Sequence, residues 1–367
     1  MAGAPRAAPA VGLRLARPGR VLGAARSRLA RPGIDAATVG EILARYGLRS
    51  SGRVENLPVG WRNRSVVVRT DGGRMVLKRY RDGWETPAIV HEHSILRHLA
   101  SVGFPAVRVH DTRAGDTVVD LTGGRFALFG FEEGANLAGY LLPAGRRLGL
   151  AGLAGRLLAR LHRDVEGFTP SGRHHLGFEG LAGGRARDLA WHLDALETLA
   201  AEDPPEEGSE ARVAWRLLRE RRQSIADGIV GSHERLEEVP LSRLAIHGDY
   251  GIHNLLVRRD GTATVHDFEL SRLEWRLVDL VIALSRLGPD EGEAFLSGYD
   301  EVHGDRPDEW RLLPEVWQHY RLCGAVQSWH TYARLGGQQR LLTASRRIEE
   351  AERIAAGDVP AWVGAPR

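Results

Sequence analysis

Two short stretches concentrate oxygen donors at fixed spacing: His247-Gly248-Asp249-Tyr250-Gly251-Ile252-His253-Asn254, and then His266-Asp267-Phe268-Glu269. Moving a phosphoryl group onto an alcohol requires a carboxylate at the attacking hydroxyl. It also requires hard oxygen ligands for the magnesium that neutralises the phosphates. Asp249 suits the first role. Asn254 and Asp267 suit the second, and Glu269 is a candidate ligand for a second ion. The flanking residues supply a scaffold. Leu244-Ala245-Ile246 is an apolar run leading into the first stretch. Leu255-Leu256-Val257 and Thr264-Val265 read as two strands turned by Arg259-Asp260-Gly261, and Asp-Gly is a strong hairpin signal. The donors therefore fall at the ends of short strands, close together. His247 reads as a hydrogen-bonded scaffold residue. His253 and His266 raise the alternative of a zinc site, but carboxylate and amide neighbours suit magnesium better.

A cation for the phosphates is the next requirement. Of the 50 Lys plus Arg residues, one is a lysine, Lys78. So strong a preference for arginine reflects a GC-rich genome, which makes the exception informative. Lys78 lies in Arg74-Met75-Val76-Leu77-Lys78-Arg79-Tyr80, a strand pattern after the turn Asp71-Gly72-Gly73. A compact ammonium and a planar guanidinium are not interchangeable at a crowded site. The plainer alternative is a surviving surface lysine.

Together these motifs resemble the aminoglycoside phosphotransferase superfamily, kinase-like enzymes that include aminoglycoside, choline, homoserine and methylthioribose kinases. The resemblance runs from about residue 35 to about residue 335 and is strongest at 244–280. It implies an α+β, bilobal, protein-kinase-like fold, with a small antiparallel-sheet N-lobe and a mostly helical C-lobe. It makes Asp249 the catalytic aspartate, Asn254 and Asp267 the magnesium ligands, and Lys78 the anchor of the nucleotide phosphates. Glu92, in Glu92-His93-Ser94-Ile95-Leu96-Arg97-His98-Leu99, becomes the helix-borne partner of Lys78. The stripe Ile95, Leu96 and Leu99 agrees with a helix that has one face on the core. Gly60-Trp61-Arg62-Asn63-Arg64-Ser65 would cover the phosphates, with Gly60, Asn63 and Ser65 presenting backbone N–H groups. It has one glycine where protein kinases have G-x-G-x-x-G. The apolar run Phe126–Phe131 ends in Glu132-Glu133-Gly134, where backbone groups of Phe131 and Glu132 would read the adenine edge. ATP and Mg2+ are the implied nucleotide and metal.

One departure bears on the acceptor. Eleven residues separate Asp267 from Asp279, with no A-P-E, which leaves no room for a protein-kinase activation segment. The loop reads H-G-D and lacks the arginine that grips an activation-loop phosphate. A small hydroxylated molecule, such as an aminoglycoside-like antibiotic, an amino alcohol or a sugar, is favoured over a protein. A bacterial Ser/Thr protein kinase of the same fold is one alternative. A nucleotide-binding pseudokinase acting as an interaction module is another, against which the complete set Lys78, Asp249, Asn254 and Asp267 argues. Asp279 is expected to buttress the loop.

Composition fits a cytoplasmic enzyme with no nucleic-acid or membrane partner. A length of 367 residues and 43% hydrophobic content allow two lobes and a sizeable core. Cys323 is the sole cysteine, and no apolar run reaches the ~18–20 residues of a membrane span. Residues 1–34 hold seven arginines and no acid, so the rest of the chain is mildly acidic despite a net charge of +3. The expected organisation is an Arg/Ala-rich disordered tail at 1–33, an N-lobe at 34–131 and a C-lobe at 132–360. Helices are expected at 34–48, 148–162, 184–201 and 209–236, with an acidic, solvated linker at 202–208. Trp310, Trp317, Tyr320, Trp329 and Tyr332 fall on C-terminal helices. They suit core packing, or an aromatic wall for a sugar or quaternary amine.

Overall fold

The computed structural model describes residues 34–52, 54–56, 64–137, 141–174, 189–304 and 308–359. The tail expected to be disordered lies outside them. The first helix, α1 (Ala36–Arg45), buries Val39, Ile42 and Leu43 at helical spacing. It is shorter than the 34–48 expected, because Gly47 at φ 74° turns the chain back. Gly47 N–H reaches Ala44 O and Leu48 N–H reaches Leu43 O, closing the helix in a Schellman motif.

A five-stranded antiparallel sheet follows: β1 (Glu55–Asn56), β2 (Arg64–Thr70), β3 (Gly73–Arg79), β4 (Val119–Leu121) and β5 (Gly124–Gly130). Its order is β1-β2-β3-β5-β4, so β3 is central. Helix α2 (Thr86–Ser101) connects β3 towards β4 and starts with a proline at its first turn, where no N–H is needed. Its buried set includes Ile89, Glu92, His93, Leu96 and Leu99. The register pairs Lys78 with Ser65 on one side and with Ala127 on the other.

After the linker that follows β5 the chain is mainly helical. Helices α3 (Ala144–Asp164), α4 (Leu189–Ala200), α5 (Glu210–Glu220) and α6 (Arg222–Glu237) lead into β6 (Arg243–Ile246), β7 (Leu255–Val257), β8 (Ala263–Val265) and β9 (Arg272–Trp275). Then come α7 (Arg276–Leu284), α8 (Pro289–His303), α9 (Leu313–Leu335) and α10 (Gln338–Ala355). The single helix expected at 209–236 is two, broken at Arg221. No glycine or proline marks that break. The buried stripe crosses it in phase from Leu218 to Ile225, a two-turn spacing, so periodicity gives no sign of it.

Helices α3 and α8 meet backbone to backbone. A Cβ on Gly155 would lie 1.8 Å from the Phe295 carbonyl oxygen, and one on Gly298 would lie 2.1 Å from that of Gly152. The apolar interior forms two clusters. One lies around β6–β9, α2, α3, α7 and α8; the other joins α4, α5, α6, α9 and α10. Trp310 and Trp317 belong to the first and Trp329 to the second, while Tyr320 and Tyr332 sit partly buried at the edges. The five aromatics are therefore shared between two cores and form no common wall. Trp310 is on a short 3-10 turn, Asp308–Leu312, and not on a helix proper. Cys323 is buried in the second cluster. Among the described residues, no helix is long and apolar enough to cross a membrane.

Candidate active site

Strand alternation places Lys78 and Tyr80 on the same face of β3, and α2 brings Glu92 to both. Lys78 Nζ lies 3.2 Å from Glu92 Oε1 and 3.4 Å from Glu269 Oε2. All three are nearly enclosed, with Lys78 9% and Glu92 3% exposed. Burial disfavours the ammonium, but Glu92, Glu269 and Asp267 together outweigh that and hold the Lys78 pKa above its usual value. Burial pushes Glu269 up to about 7, with Asp267 and Glu92 adding to the rise and Lys78 opposing it.

Tyr80 completes the grip on Glu92. Its hydroxyl donates to Glu92 Oε2 at 2.8 Å and lies 2.9 Å from His93 Nε2. His93 Nδ1 is 2.7 Å from Thr117 Oγ1. Burial first, then Lys78 and Arg97, push His93 down to about 3, so the ring is neutral at pH 7. With the Tyr80 proton already given to Glu92, His93 must carry its own proton on Nε2 and accept from Thr117 at Nδ1. The chain Thr117–His93–Tyr80–Glu92–Lys78 thus has every proton assigned.

The second half of the site is the loop between β6 and β7. Asp279, fully buried on α7, accepts from His247 N–H at 2.7 Å and Gly248 N–H at 2.9 Å, which fixes where the loop begins. Burial would raise its pKa, but His162, His247 and the Gly248 N–H hold it below the usual range. His247 packs its ring on Tyr250 and Phe268, and its Nε2 donates to His266 O at 3.0 Å. Asn254 Nδ2 closes the loop on Asp249 O at 2.9 Å, and none of these bonds uses its side-chain oxygen. His266 N–H reaches Asn254 O, placing the β7–β8 hairpin and Asp267 beside it. Asp267 has φ 69°, the one positive φ outside glycine among the described residues. A left-handed aspartate is strained backbone held by its surroundings, a recurring mark of functional positions.

Asp249 itself is clamped. Arg286 Nη2 donates to its Oδ1 at 2.6 Å, His253 Nε2 lies 3.4 Å from its Oδ2, and Arg286 Nη1 lies 3.0 Å from His253 Nε2. Burial would raise the Asp249 pKa. The His253 hydrogen bond and the Arg286 guanidinium outweigh it and hold the carboxyl well below the usual range.

The remaining expected residues are spread more widely. Ser65 faces Lys78 across the ladder. Gly60 and Asn63 lie outside the described residues. Past β5, Phe131 sits beneath the Arg74 guanidinium at 3.6 Å. Glu132 directs its side chain to Arg258 on the β7–β8 turn, and Ala135 pairs with Val257. This ties the linker to the hairpin that carries the loop. The oxygen donors of Asn254, Asp267 and Glu269 suit magnesium chemically. Glu92 and Glu269 lie against the Lys78 ammonium, and the Asp267 charge also acts on it, so carboxylates outnumber the ammonium there.

Residues 53–313 match the model of the phosphotransferase enzyme family. The chain belongs to that family. It is 29% identical over 255 residues to an uncharacterized protein of Deinococcus radiodurans, covering 65% of this chain and 66% of that relative's length. Among solved structures, it is similar to amicoumacin kinase hAmiN in complex with AMP-PNP, Ca2+ and Ami. The TM-score is 0.62 at 16% identity, covering 89% of this chain and 94% of that one. A microcompartment-associated aminopropanol kinase gives 0.62 at 22%, covering 88% and 98%. The fold is the α+β bilobal kinase-like one.

In this phosphotransferase-family protein, sequence reasoning missed Tyr80, His93, Thr117 and Arg286. Alternation offered a signal for Tyr80, two residues past Lys78. Arg286 lies two residues past the end of α7, and no local signal in the sequence aims it at the loop.

Proposed function

We propose that the protein is an ATP- and magnesium-dependent O-phosphotransferase acting on the hydroxyl of a small molecule in the cytoplasm. The observation that carries this reading is the buried Lys78–Glu92–Glu269 cluster in the same site as an Asp279-anchored loop bearing Asp249 and Asn254. Lys78 is fixed by two carboxylates and presents its charge to the nucleotide phosphates. Asn254 and Asp267 would hold the magnesium ion, with Glu269 released from Lys78 as a further ligand. The ion supplies charge neutralisation of the phosphates when bound. Asp249 accepts the proton of the attacking hydroxyl as the oxygen bonds to the γ-phosphorus and the bond to the β-phosphate oxygen breaks. Arg286 and His253 keep Asp249 ionised and aimed, so catalysis is positioning plus electrostatics.

The acceptor class is read from what the chain omits and from the proteins it is similar to. Between Asp267 and Asp279 the chain forms a 3-10 turn, Phe268–Leu270, and strand β9, which pairs with β6. No residues remain there to seat a peptide, which argues against a protein substrate. The similarity to an aminopropanol kinase and to amicoumacin kinase supports an amino alcohol or an amicoumacin-like small molecule as acceptor. The test is phosphate transfer from γ-labelled ATP to a panel of amino alcohols, sugars and aminoglycoside-like antibiotics, with protein substrates alongside. Transfer to a small alcohol is expected. Transfer to protein alone, or nucleotide binding with no transfer, would replace this reading by the protein-kinase or the pseudokinase one.

A further inference from the structure

A second polar cluster lies where α2, β9 and the loop 171–174 meet. Arg272 is 1% exposed, yet its Nε and Nη2 have no hydrogen-bond partner. Its Nη1 reaches Leu270 O at 3.1 Å, and the nearest carboxylate oxygen, on Glu274, is 4.0 Å from Nε. His91, 5% exposed, has neither ring nitrogen hydrogen-bonded, and His174 Nε2 is also unpartnered. The two imidazoles meet edge to face, with ring centres 6.0 Å apart. Backbone groups of Ser171 and Ser271 lie against the His91 ring. The Arg272 charge acts on His174, and Ser271 is its chain neighbour, so the three side chains share one environment. The loop is fastened to α2 by Ser171 N–H to Ser94 Oγ and by Arg173 N–H to Pro87 O.

A buried guanidinium with an idle edge is costly unless an anion fills it. The edge formed by Nε and Nη2 offers two parallel N–H donors, the fork that binds two oxygens of an oxyanion. Two imidazoles add donors for further oxygens. A carboxylate has two oxygens and would satisfy only the fork. A tetrahedral phosphate has four and can answer all three side chains.

We propose that Arg272, His91 and His174 form a binding site for a phosphate group, free or carried by a small phosphomonoester, distinct from the site at Lys78. The occupant bridges helix α2 next to Glu92, strand β9 and the start of the Asp249 loop. The last link follows from Arg272 Nη1, which lies 2.6 Å from where a Cβ on Gly248 would stand. The site does not depend on the activity proposed above.

The test is thermal unfolding of the full chain in rising inorganic phosphate, against potassium chloride at equal ionic strength. The wild type is expected to show a saturable rise in Tm beyond the chloride control. His174→Ala and Arg272→Met are expected to weaken the apparent phosphate affinity on the order of tenfold, the loss of one or more charge-assisted bonds. Lys78→Met is expected to keep the wild-type response. If Arg272→Met does not fold, His174→Ala decides. Methyl phosphate in place of phosphate separates the sources: an equal response assigns a phosphomonoester head group, and a response to phosphate alone assigns the free ion. The proposal is overturned if the wild type shows no saturable response. It is equally overturned if both variants respond as the wild type does, or if Lys78→Met alone loses the response, which would put phosphate at the nucleotide site.

Discussion

At the scale of single residues, Arg286 and His253 hold Asp249, and Glu92 and Glu269 hold Lys78. Asp249→Asn should leave nucleotide affinity nearly unchanged and lower turnover by roughly 10²–10⁴, the usual worth of a positioned base. Near-wild-type turnover would remove Asp249 from the mechanism. Arg286 gives a pH test with a definite sign. In the proposed mechanism Asp249 works as the carboxylate, so the rate should fall as pH drops through its pKa. Burial raises that pKa, while His253 and Arg286 hold it down. Arg286→Ala should therefore shift the acid limb of kcat/KM to higher pH, measured between pH 4 and 8. Coincident profiles would mean that the clamp does not set the ionisation of Asp249. Tyr80→Phe strips Glu92 Oε2 of its donor inside the protein. It should cost about 1.5–3 kcal/mol in urea unfolding, the range for a hydrogen bond to a charged group. A change below a few tenths would show that Tyr80 is not needed to hold Glu92.

At the scale of elements, legibility followed from whether the signal was local. The β7–β8 hairpin was readable because Asp260-Gly261 is a turn signal: Gly261 takes φ 85°, and Asp260 Oδ1 accepts from Thr262 N–H. The Asp249 loop was readable from its spacing and Lys78 from its strand pattern and its being the sole lysine, whereas Glu92 followed only from the family resemblance and the apolar stripe beside it. The break at Arg221 was not, because the apolar stripe continues through it. Nor was the clamp on Asp249 by Arg286, which depends on how the end of α7 meets the loop, a tertiary fact. The α3–α8 contact is of the same kind: glycines at 152, 155 and 298 look like weak helix positions until the partner backbone is present. Gly155→Ala would drive a methyl into the Phe295 carbonyl. The expected cost is at least about 1–3 kcal/mol, the range for overpacking, read from the denaturation midpoint. A neutral substitution would show that α3 and α8 separate easily.

At the scale of the whole molecule, a small antiparallel sheet carries Lys78, and the mainly helical part that follows carries the loop and hairpin with Asp249, the proposed base, and Asn254 and Asp267, the proposed metal ligands. The linker after β5 is stitched to the second part through Glu132–Arg258 and Ala135–Val257. In the proposed function these parts form one nucleotide site around the single lysine of the chain. The most direct measurement is labelling with an amine-reactive acyl phosphate of ATP, followed by peptide mapping by mass spectrometry. Apart from the amino terminus, one side chain can react. Lys78 should label, and excess magnesium-ATP should protect it, because the phosphates occupy the space the reagent needs. Equal labelling with and without magnesium-ATP would contradict the account.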